Sequence, residues 1–356
     1  MKKVVVGMSG GVDSSVAAYL LKEQGFEVMG LFMKNWEEKD PDGVCQSTKD
    51  YEDALRVCQT LDIPLHTVNF VQEYWDRVFS EFVEDLKKGY TPNPDVLCNK
   101  EIKFDVFFAK AKALGADYLA TGHYCRSDGK NLLKGLDPNK DQSYFLYAVD
   151  RSVLKEVLFP VGELEKPQVR AIAKKLNLAT HAKKDSTGIC FIGKRNFKEF
   201  ISQYIPYHPG NFENTSGKII GRHDGAAYYT VGQRKGLGIG GPGEAWFVVD
   251  KDIERNVVLV EQGEDHPALY ASELIAKDPT FLPEKLPFKC TAKIRYRQED
   301  QPCTIISANE SEIHVQFDEP QRAITPHQSI VFYDGDICHG GALIQHSRKL
   351  LGNVRS

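Results

Sequence analysis

The tightest constraint on this chain is its opening stretch, Val4-Val5-Val6-Gly7-Met8-Ser9-Gly10-Gly11-Val12-Asp13-Ser14-Ser15. Three consecutive β-branched residues predict a short buried strand, and the positions after them are mostly small or turn-forming. Val16, Ala17, Leu20 and Leu21 then recur at a helical period that ends at Gly25. A second apolar run, Phe26 to Met33, completes a strand–loop–helix–strand unit that should be parallel and right-handed. A glycine and serine loop opening a helix offers backbone N–H groups, hydroxyls and a partial positive charge. Those are the requirements for holding phosphate.

The spacing narrows the kind of phosphate site. A Walker loop needs a lysine after its last glycine, and here Gly10-Gly11 is followed by Val12. The dinucleotide fingerprint also fails, because Gly7, Gly10 and Gly11 are wrongly spaced. What remains, S-G-G-x-D-S directly after an N-terminal strand, is similar to the pyrophosphate loop of enzymes that split ATP into AMP and pyrophosphate. An ordinary tight βα turn is the bland alternative, and six matching positions argue against it.

Composition excludes several other classes. With 356 residues, two or three domains and a substantial core are expected. The formal net charge of −4 gives no global field for nucleic acid, so RNA contact would need local basic surfaces. Eight cysteines without clustered pairs suit a reducing compartment better than a disulfide scaffold. Lys2 and Lys3 precede too few apolar residues for a signal peptide, and no stretch is long enough to span a membrane. A cytoplasmic protein is expected.

Along the chain, Asn35 to Lys49 is polar, with Glu37, Glu38, Asp40 and Asp42, and reads as a solvated, mobile loop. Ala54, Val57, Cys58 and Leu61 predict a helix face, Ile63 to Phe70 a strand. Trp75, Phe79, Phe82, Val83 and Leu86 predict the core face of a helix ending at Gly89. In Tyr90-Thr91-Pro92-Asn93-Pro94-Asp95-Val96-Leu97-Cys98-Asn99-Lys100 two prolines stiffen the loop, and Asp95 is placed to cap the next helix. A helix start shortly before Cys98 would favour its thiolate; equally, Asp95 could merely cap and Cys98 merely pack. Ala109, Ala113 and Leu114 continue a helix, and Tyr118-Leu119-Ala120 predicts a strand ending in Thr121-Gly122-His123. Strand ends of an open parallel sheet line one crevice, so Gly122 and His123 should face the first loop. Tyr124 to Leu136 reads as a hairpin turning at Asp128-Gly129. Lys140-Asp141-Gln142 precedes an aromatic helix, and Pro167 opens a helix through Val169, Ile172, Ala173 and Leu176. Cys190, between a glycine turn and an apolar stretch, would by itself be read as buried and inert.

From Pro206 to Gly210 onward the chain shifts to short β segments separated by glycine. Gly236 to Gly241 fits G-x-G-x-x-G but neither follows a clear strand nor opens a helix, so it is a chance match. A second boundary falls near Pro279 to Pro287. Phe288, Cys290, Ala292, Ile294 and Tyr296 then alternate with Lys289, Thr291, Lys293, Arg295 and Arg297, predicting one strand with an apolar face and a cationic one. Ile313, Val315 and Phe317 alternate likewise, and Ile330 and Phe332 begin another strand, which suggests a small barrel. A cationic face can contact phosphates without reading sequence, although most such faces are simply solvated.

Five motifs in order carry a resemblance to the tRNA-specific 2-thiouridylases: Ser9 to Ser14, Thr91 to Asn99, Ala120 to Tyr124, Lys140 to Phe145 and Ser186 to Ile192. Thr230 to Gly238 is similar to that family's central domain, and the C-terminal barrel carries weaker motifs. The resemblance implies an α/β chain in three parts. A parallel-sheet domain of the adenine nucleotide α-hydrolase type would span 1–205, a small mainly-β central domain 206–278 and a β-barrel 279–356. It implies an ATP site at Gly7, Met8, Ser9, Gly10, Gly11, Val12, Asp13, Ser14, Met33 and Gly122. Asn93, Pro94 and Asp95 would meet the target base, while His123, Lys140, Asp141, Gln142, Arg295, Tyr296 and Gln328 would touch tRNA. Cys190 would carry a persulfide, with Cys98 its redox partner and Asp95 the candidate acid/base. Mg²⁺ would arrive with ATP, no protein-held metal is expected, and the sulfur would come from a relay protein or a cysteine desulfurase. The rival readings are another AMP-forming ligase or amidotransferase with the same loop, and a nucleotide-sensing RNA-binding module without chemistry.

Overall fold

Val4, Val5 and Val6 are buried to 2% exposure or less and form the centre of β1 (Lys3–Met8). The computed structural model describes residues 1–37, 46–184 and 197–349. After β1 come α1 (Val12–Glu23), β2 (Glu27–Lys34), α2 (Gln46–Leu61) and β3 (Leu65–Asn69). The buried residues of α2 are Ala54, Val57, Cys58 and Leu61, the four its apolar period predicts. Burial pushes the Cys58 thiol up to about 11. Next, α3 (Val71–Tyr74) runs through a π-turn stretch, Trp75–Phe79, into α4 (Ser80–Lys87). A second helical run joins α5 (Pro94–Leu97), wider turns over Cys98–Val106, and α6 (Phe107–Ala113). Then come β4 (Tyr118–Ala120), the hairpin β5 (Cys125–Ser127) and β6 (Leu132–Lys134), α7 (Ser143–Leu146), β7 (Val157–Leu158) and α8 (Lys166–Lys175).

The chain forms two compact units that do not follow simple chain order. One comprises Met1–Ser80, Pro94–Arg195 and Gly335–His339; the other comprises Glu81–Asn93, Asn196–Asp334 and Gly340–Ser356. Among the described residues, the first unit holds a five-stranded parallel sheet in the order β3-β2-β1-β4-β7. Two core strands, β1 and β4, meet in register at Val6 and Ala120, so the loops after Met8 and Ala120 leave the same end of the sheet. Ligands bind at that carboxyl end in open parallel sheets. α1 and α8 pack together on the sheet through Val16, Ala17, Val169 and Ala173.

The second unit includes α9 (Phe197–Ile201) and two β structures. In the first, β8 (Gly210–Glu213), β9 (Ile219–His223), β10 (Trp246–Asp252) and β11 (Val257–Gln262) make a sheet in the order β10-β11-β8-β9. The second uses β12 (Tyr270–Lys277), β13 (Phe288–Lys293), β14 (Gln301–Ala308), β15 (Glu312–Arg322), β16 (Ser329–Asp334) and β17 (Ile337–Lys349). Neighbour pairing runs β12-β15-β14-β13-β16-β17, and β17 pairs back onto β12, which closes a barrel. Its core contains Ile313, Val315, Phe317, Ile330 and Phe332, the residues whose alternation predicts inward faces.

Four local expectations need correction. Asn35 and Trp36 are 1% and 8% exposed, and Gln46 already begins α2, so neither end of the expected stretch is a solvated loop; Glu38, Asp40 and Asp42 lie outside the described residues. Trp36 is held by aromatic neighbours, Tyr74, Trp75 and Phe79, which explains its burial. Trp75 itself is 40% exposed, so it covers Trp36 from outside rather than filling the core. Asp95 does not cap a helix: α5 starts at Pro94, whose fixed φ suits a first helical position, and Asp95 lies in the first turn. The cationic strand is shorter than its alternation implies. β13 ends at Lys293, which pairs with Asp300 at 3.5 Å and lies over the Tyr333 ring, and Arg297 adopts φ +64 in the turn beyond.

Candidate active site

Helix α1 has Gly11 at its N-cap and no side chain capping it, so its first-turn N–H groups remain available to an anion. The loop before it is held from within. Ser9 N and Gly11 N donate to Ser14 Oγ and Ser9 Oγ at 3.2 and 3.3 Å, and Ser15 Oγ donates to Gly11 O at 2.7 Å. Gly10 has φ +69, and a Cβ there would stand 2.2 Å from the Asp50 carbonyl oxygen, so glycine is required. Gly122 packs against the same loop: a Cβ there would lie 2.6 Å from Ser14 N. Gly7 to Ser14, Gly122 and Met33, near the end of β2, are thus brought to the carboxyl end of one sheet.

Two lysines that motif reading missed fix this loop. Lys166 Nζ donates to both Asp13 oxygens at 2.7 and 2.8 Å, and Tyr124 OH donates to Asp13 Oδ1 at 2.8 Å. Lys183 Nζ donates to Gly10 O at 2.8 Å, Asp50 Oδ1 at 2.8 Å and Asp53 Oδ2 at 2.6 Å. Burial opposes the Lys183 charge, but its hydrogen bonds to the Asp50 and Asp53 carboxylates outweigh it and hold its pKa above the ordinary lysine value. Thr180 completes the frame by donating to Ser15 Oγ at 3.0 Å. Lys166 sits at the start of α8 just before Pro167, and nothing in local spacing links it to residue 13.

Asn35 was also missed. It follows β2 directly, is 1% exposed, and neither its Nδ2 nor its Oδ1 has a hydrogen-bond partner. A buried amide left unpaired costs about 1–3 kcal/mol per group, so it suits a site whose polar ligand completes it. Together with the uncapped helix and the glycine cradle, this donor set fits a nucleotide. Among the described residues there is no His, Cys, Asp and Glu cluster able to hold a metal.

His123 is buried and neutral. Desolvation, then the Lys103 charge, holds its pKa well below the ordinary imidazole value. Lys103 Nζ lies 3.4 Å from Nε2, so Nε2 accepts and Nδ1 carries the proton toward Thr121 Oγ1 at 2.8 Å. Cys98 is completely buried in the Pro94–Val106 helical run, and Asp95 lies one turn before it, half-buried. The neighbouring Asn99 ties this run to α7 by donating to the Phe145 carbonyl at 3.1 Å. Gln142 exchanges two hydrogen bonds with the Tyr124 backbone, both 2.9 Å. Asp141 is buried and accepts from Gly135 N and from the Ser143 amide and hydroxyl, which shapes the turn beside Lys140. Asn93, Arg295, Tyr296 and Gln328 belong to the second unit. Arg295 is exposed and donates to the Arg322 carbonyl, and Arg297 lies over the Tyr296 ring. Cys190 lies outside the described residues.

Three family models match in chain order: a tRNA methyl transferase HUP domain over residues 2–194, a tRNA methyl transferase PRC-barrel domain over 198–262, and an aminomethyltransferase beta-barrel domain over 271–344. Among curated relatives, the tRNA-specific 2-thiouridylase MnmA of Protochlamydia amoebophila is 61% identical over 351 residues, covering 97% of this chain and 93% of that protein. The protein of the same name from Halalkalibacterium halodurans is 56% identical and covers 98% of this chain and 95% of its own. That of Lysinibacillus sphaericus is 57% identical, with 96% and 94% covered. Matches of this identity and extent, on a chain whose phosphate loop is framed as described, mean that it belongs to the tRNA-specific 2-thiouridylase family.

Proposed function

We propose that this protein is an ATP-dependent tRNA uridine 2-sulfurtransferase acting on the wobble uridine. The observation that carries the reading is identity above one half to curated 2-thiouridylases along nearly the whole chain. The loop geometry is consistent with it, since a glycine cradle without a Walker lysine opens an uncapped helix at the carboxyl end of the sheet, where a phosphate chain is favoured.

The uracil C2 oxygen cannot leave as oxide. Attack of that oxygen on the ATP α-phosphorus expels pyrophosphate and leaves AMP attached, giving a competent leaving group. First-turn N–H groups of α1, the Gly10 and Gly11 backbone and the Lys166–Asp13 pair would receive the departing pyrophosphate. Magnesium bound to the phosphates would offset their charge. The terminal sulfur of a Cys190 persulfide then replaces the oxygen at C2, AMP leaves with that oxygen, and a Cys98–Cys190 disulfide closes as the sulfur is released. Asp95, one helical turn before Cys98, would move a proton at the base or the sulfur. Unstacking the target uridine costs a few kcal/mol, roughly, by analogy with base flipping. Contacts from His123, Lys140, Asp141, Gln142, Arg295, Tyr296 and Gln328 to the tRNA body would offset it, and Asn93, Pro94 and Asp95 would meet the base. We assign catalysis to 1–205, tRNA contact to 206–278 and a further tRNA-binding barrel to 279–356. A cysteine desulfurase or relay protein would load the sulfur.

The reading is tested by separating the two half-reactions. Cys98→Ser and Cys190→Ser should each abolish 2-thiouridine formation while tRNA-dependent pyrophosphate release persists. Full thiolation in either variant would contradict the sulfur route.

A further inference from the structure

The segment Glu81–Asn93, which leads into the proline-bracketed loop, belongs to the same compact unit as the C-terminal barrel. The contacts that hold it there converge on one barrel turn. His327 Nδ1 donates to Asp85 Oδ2 at 2.8 Å, with both side chains at 13% exposure or less. The Tyr90 ring stacks on the His327 imidazole, centroids 3.5 Å apart and planes 6° from parallel. Beyond it, Gln328 donates through its side-chain amide to the Thr91 carbonyl, and Thr91 N donates to Pro326 O at 3.4 Å. The turn is rigid in its own right. His327 N donates to Ile344 O at 2.8 Å and Ile344 N to Gln328 O at 2.9 Å, which stitches it to β17. His327 holds φ +64, a conformation that few side chains adopt without compensation. On the other side Gly89 has φ +81 and lies so close to Ile253 that a Cβ would be 2.1 Å from its side chain.

A stacked ring, a buried His–Asp hydrogen bond and two backbone contacts are more than a loop needs merely to turn. They fix the backbone two residues before Asn93. We propose that His327, Asp85, Tyr90 and Gln328 form a clamp that positions Thr91 to Asn93, so that the barrel sets the placement of Asn93 against the target base. None of the four touches the reacting atoms in this proposal; each is a positioning residue acting through the backbone of Thr91. The inference rests on reading Asn93 as a base contact.

The test uses the full-length protein with Asp85→Ala, His327→Leu and His327→Asn. Asparagine tolerates the left-handed backbone and keeps a donor toward Asp85, so it serves as the conservative variant. Hydrogen exchange in the free protein reads the clamp directly, since loss of an anchoring contact lowers local opening free energy. Exchange of peptides covering 88–97 should quicken in Asp85→Ala and His327→Leu and recover only in part in His327→Asn, which keeps a donor but loses the stacked ring, with peptides from α2 unchanged. Thiolation kcat should fall by about 10- to 100-fold in the first two variants, as expected for a reacting group misplaced by an ångström, with tRNA and ATP dissociation constants within about threefold of wild type. Unchanged exchange over 88–97 would overturn the clamp, and quickened exchange with undiminished kcat would overturn its positioning role. Asn93→Ala keeps the readings apart: full thiolation in that variant would remove the base-contact reading while the exchange result stands.

Discussion

Lys166 Nζ and the Asp13 carboxylate are joined by two hydrogen bonds, at 2.7 and 2.8 Å, across 153 residues of chain. The lysine side chain is 10% exposed and the aspartate 31%, so the pair is partly shielded and lies on the phosphate loop itself. Lys166→Met leaves Asp13 with Tyr124 and solvent. We expect a loss of about 1–3 kcal/mol in stability, moderated by the exposure of Asp13. Pyrophosphate release should slow by on the order of 100-fold, because a fixed cation at a departing anion acts mainly in the transition state. Melting curves beside a pyrophosphate assay check both, and equal loss in the two would reduce Lys166 to a structural tie.

Gly122→Ala tests the close approach between the strand-end loop and α1. The added Cβ meets the backbone of Asp13 and Ser14 at 2.8 and 2.6 Å, and backbone cannot rotate away as a side chain can. ATP affinity should drop at least about tenfold, with destabilisation of roughly 1–3 kcal/mol from overpacking. Gly240→Ala, where an added Cβ meets nothing within 4 Å, should change stability by no more than about 0.5 kcal/mol. Calorimetric titration of ATP into both variants decides.

Asn35 makes a prediction of opposite sign for the free and the liganded protein. Asn35→Leu removes two orphaned buried atoms, and replacing an unpaired polar group by an apolar one can be neutral or stabilising. The melting temperature without nucleotide should therefore hold or rise. The further rise on adding ATP should shrink, because that increment follows the dissociation constant. An undiminished ATP increment would place Asn35 outside the nucleotide site.

Buried His123 gives a pH dependence with a defined sign. Its folded-state pKa is depressed, chiefly by desolvation, from an ordinary value of 6.5. Below pH 6.5 the unfolded chain therefore binds a proton that the folded protein resists, so stability falls as the pH drops from 6.5. His223 and His327 are shifted the same way, burial being the main cause in both, and steepen the slope. His123→Gln should flatten the melting temperature between pH 6.5 and 5 without removing the slope. A parallel curve for the variant would show that the His123 pKa is not depressed on folding.

Much of this was legible in the sequence because the signals are local. Val4 to Val6, the Ala54, Val57, Cys58 and Leu61 face, and the Ile313, Val315 and Phe317 alternation each report one element's own period, and each is buried as that period requires. What escaped depends on partners far along the chain. Lys166 reaches Asp13 because α8 packs on α1, and Trp36 beside Asn35 is buried because it finds Tyr74 and Phe79. Lys293 shows the same effect on a surface: its alternation was right for a strand, but Asp300 and Tyr333 draw it away from a continuous cationic face. The assignment of Asp95 as a cap failed because Pro94 takes the first helical position.

The most direct test of the whole account is a product analysis of one reaction containing the full-length protein, magnesium, ATP, a persulfide donor and unmodified tRNA. The account predicts 2-thiouridine at the wobble position by nucleoside mass spectrometry, with AMP and pyrophosphate formed in equal amounts and only when tRNA is present. ADP and orthophosphate as products, or AMP formation without sulfur in the tRNA, would contradict it.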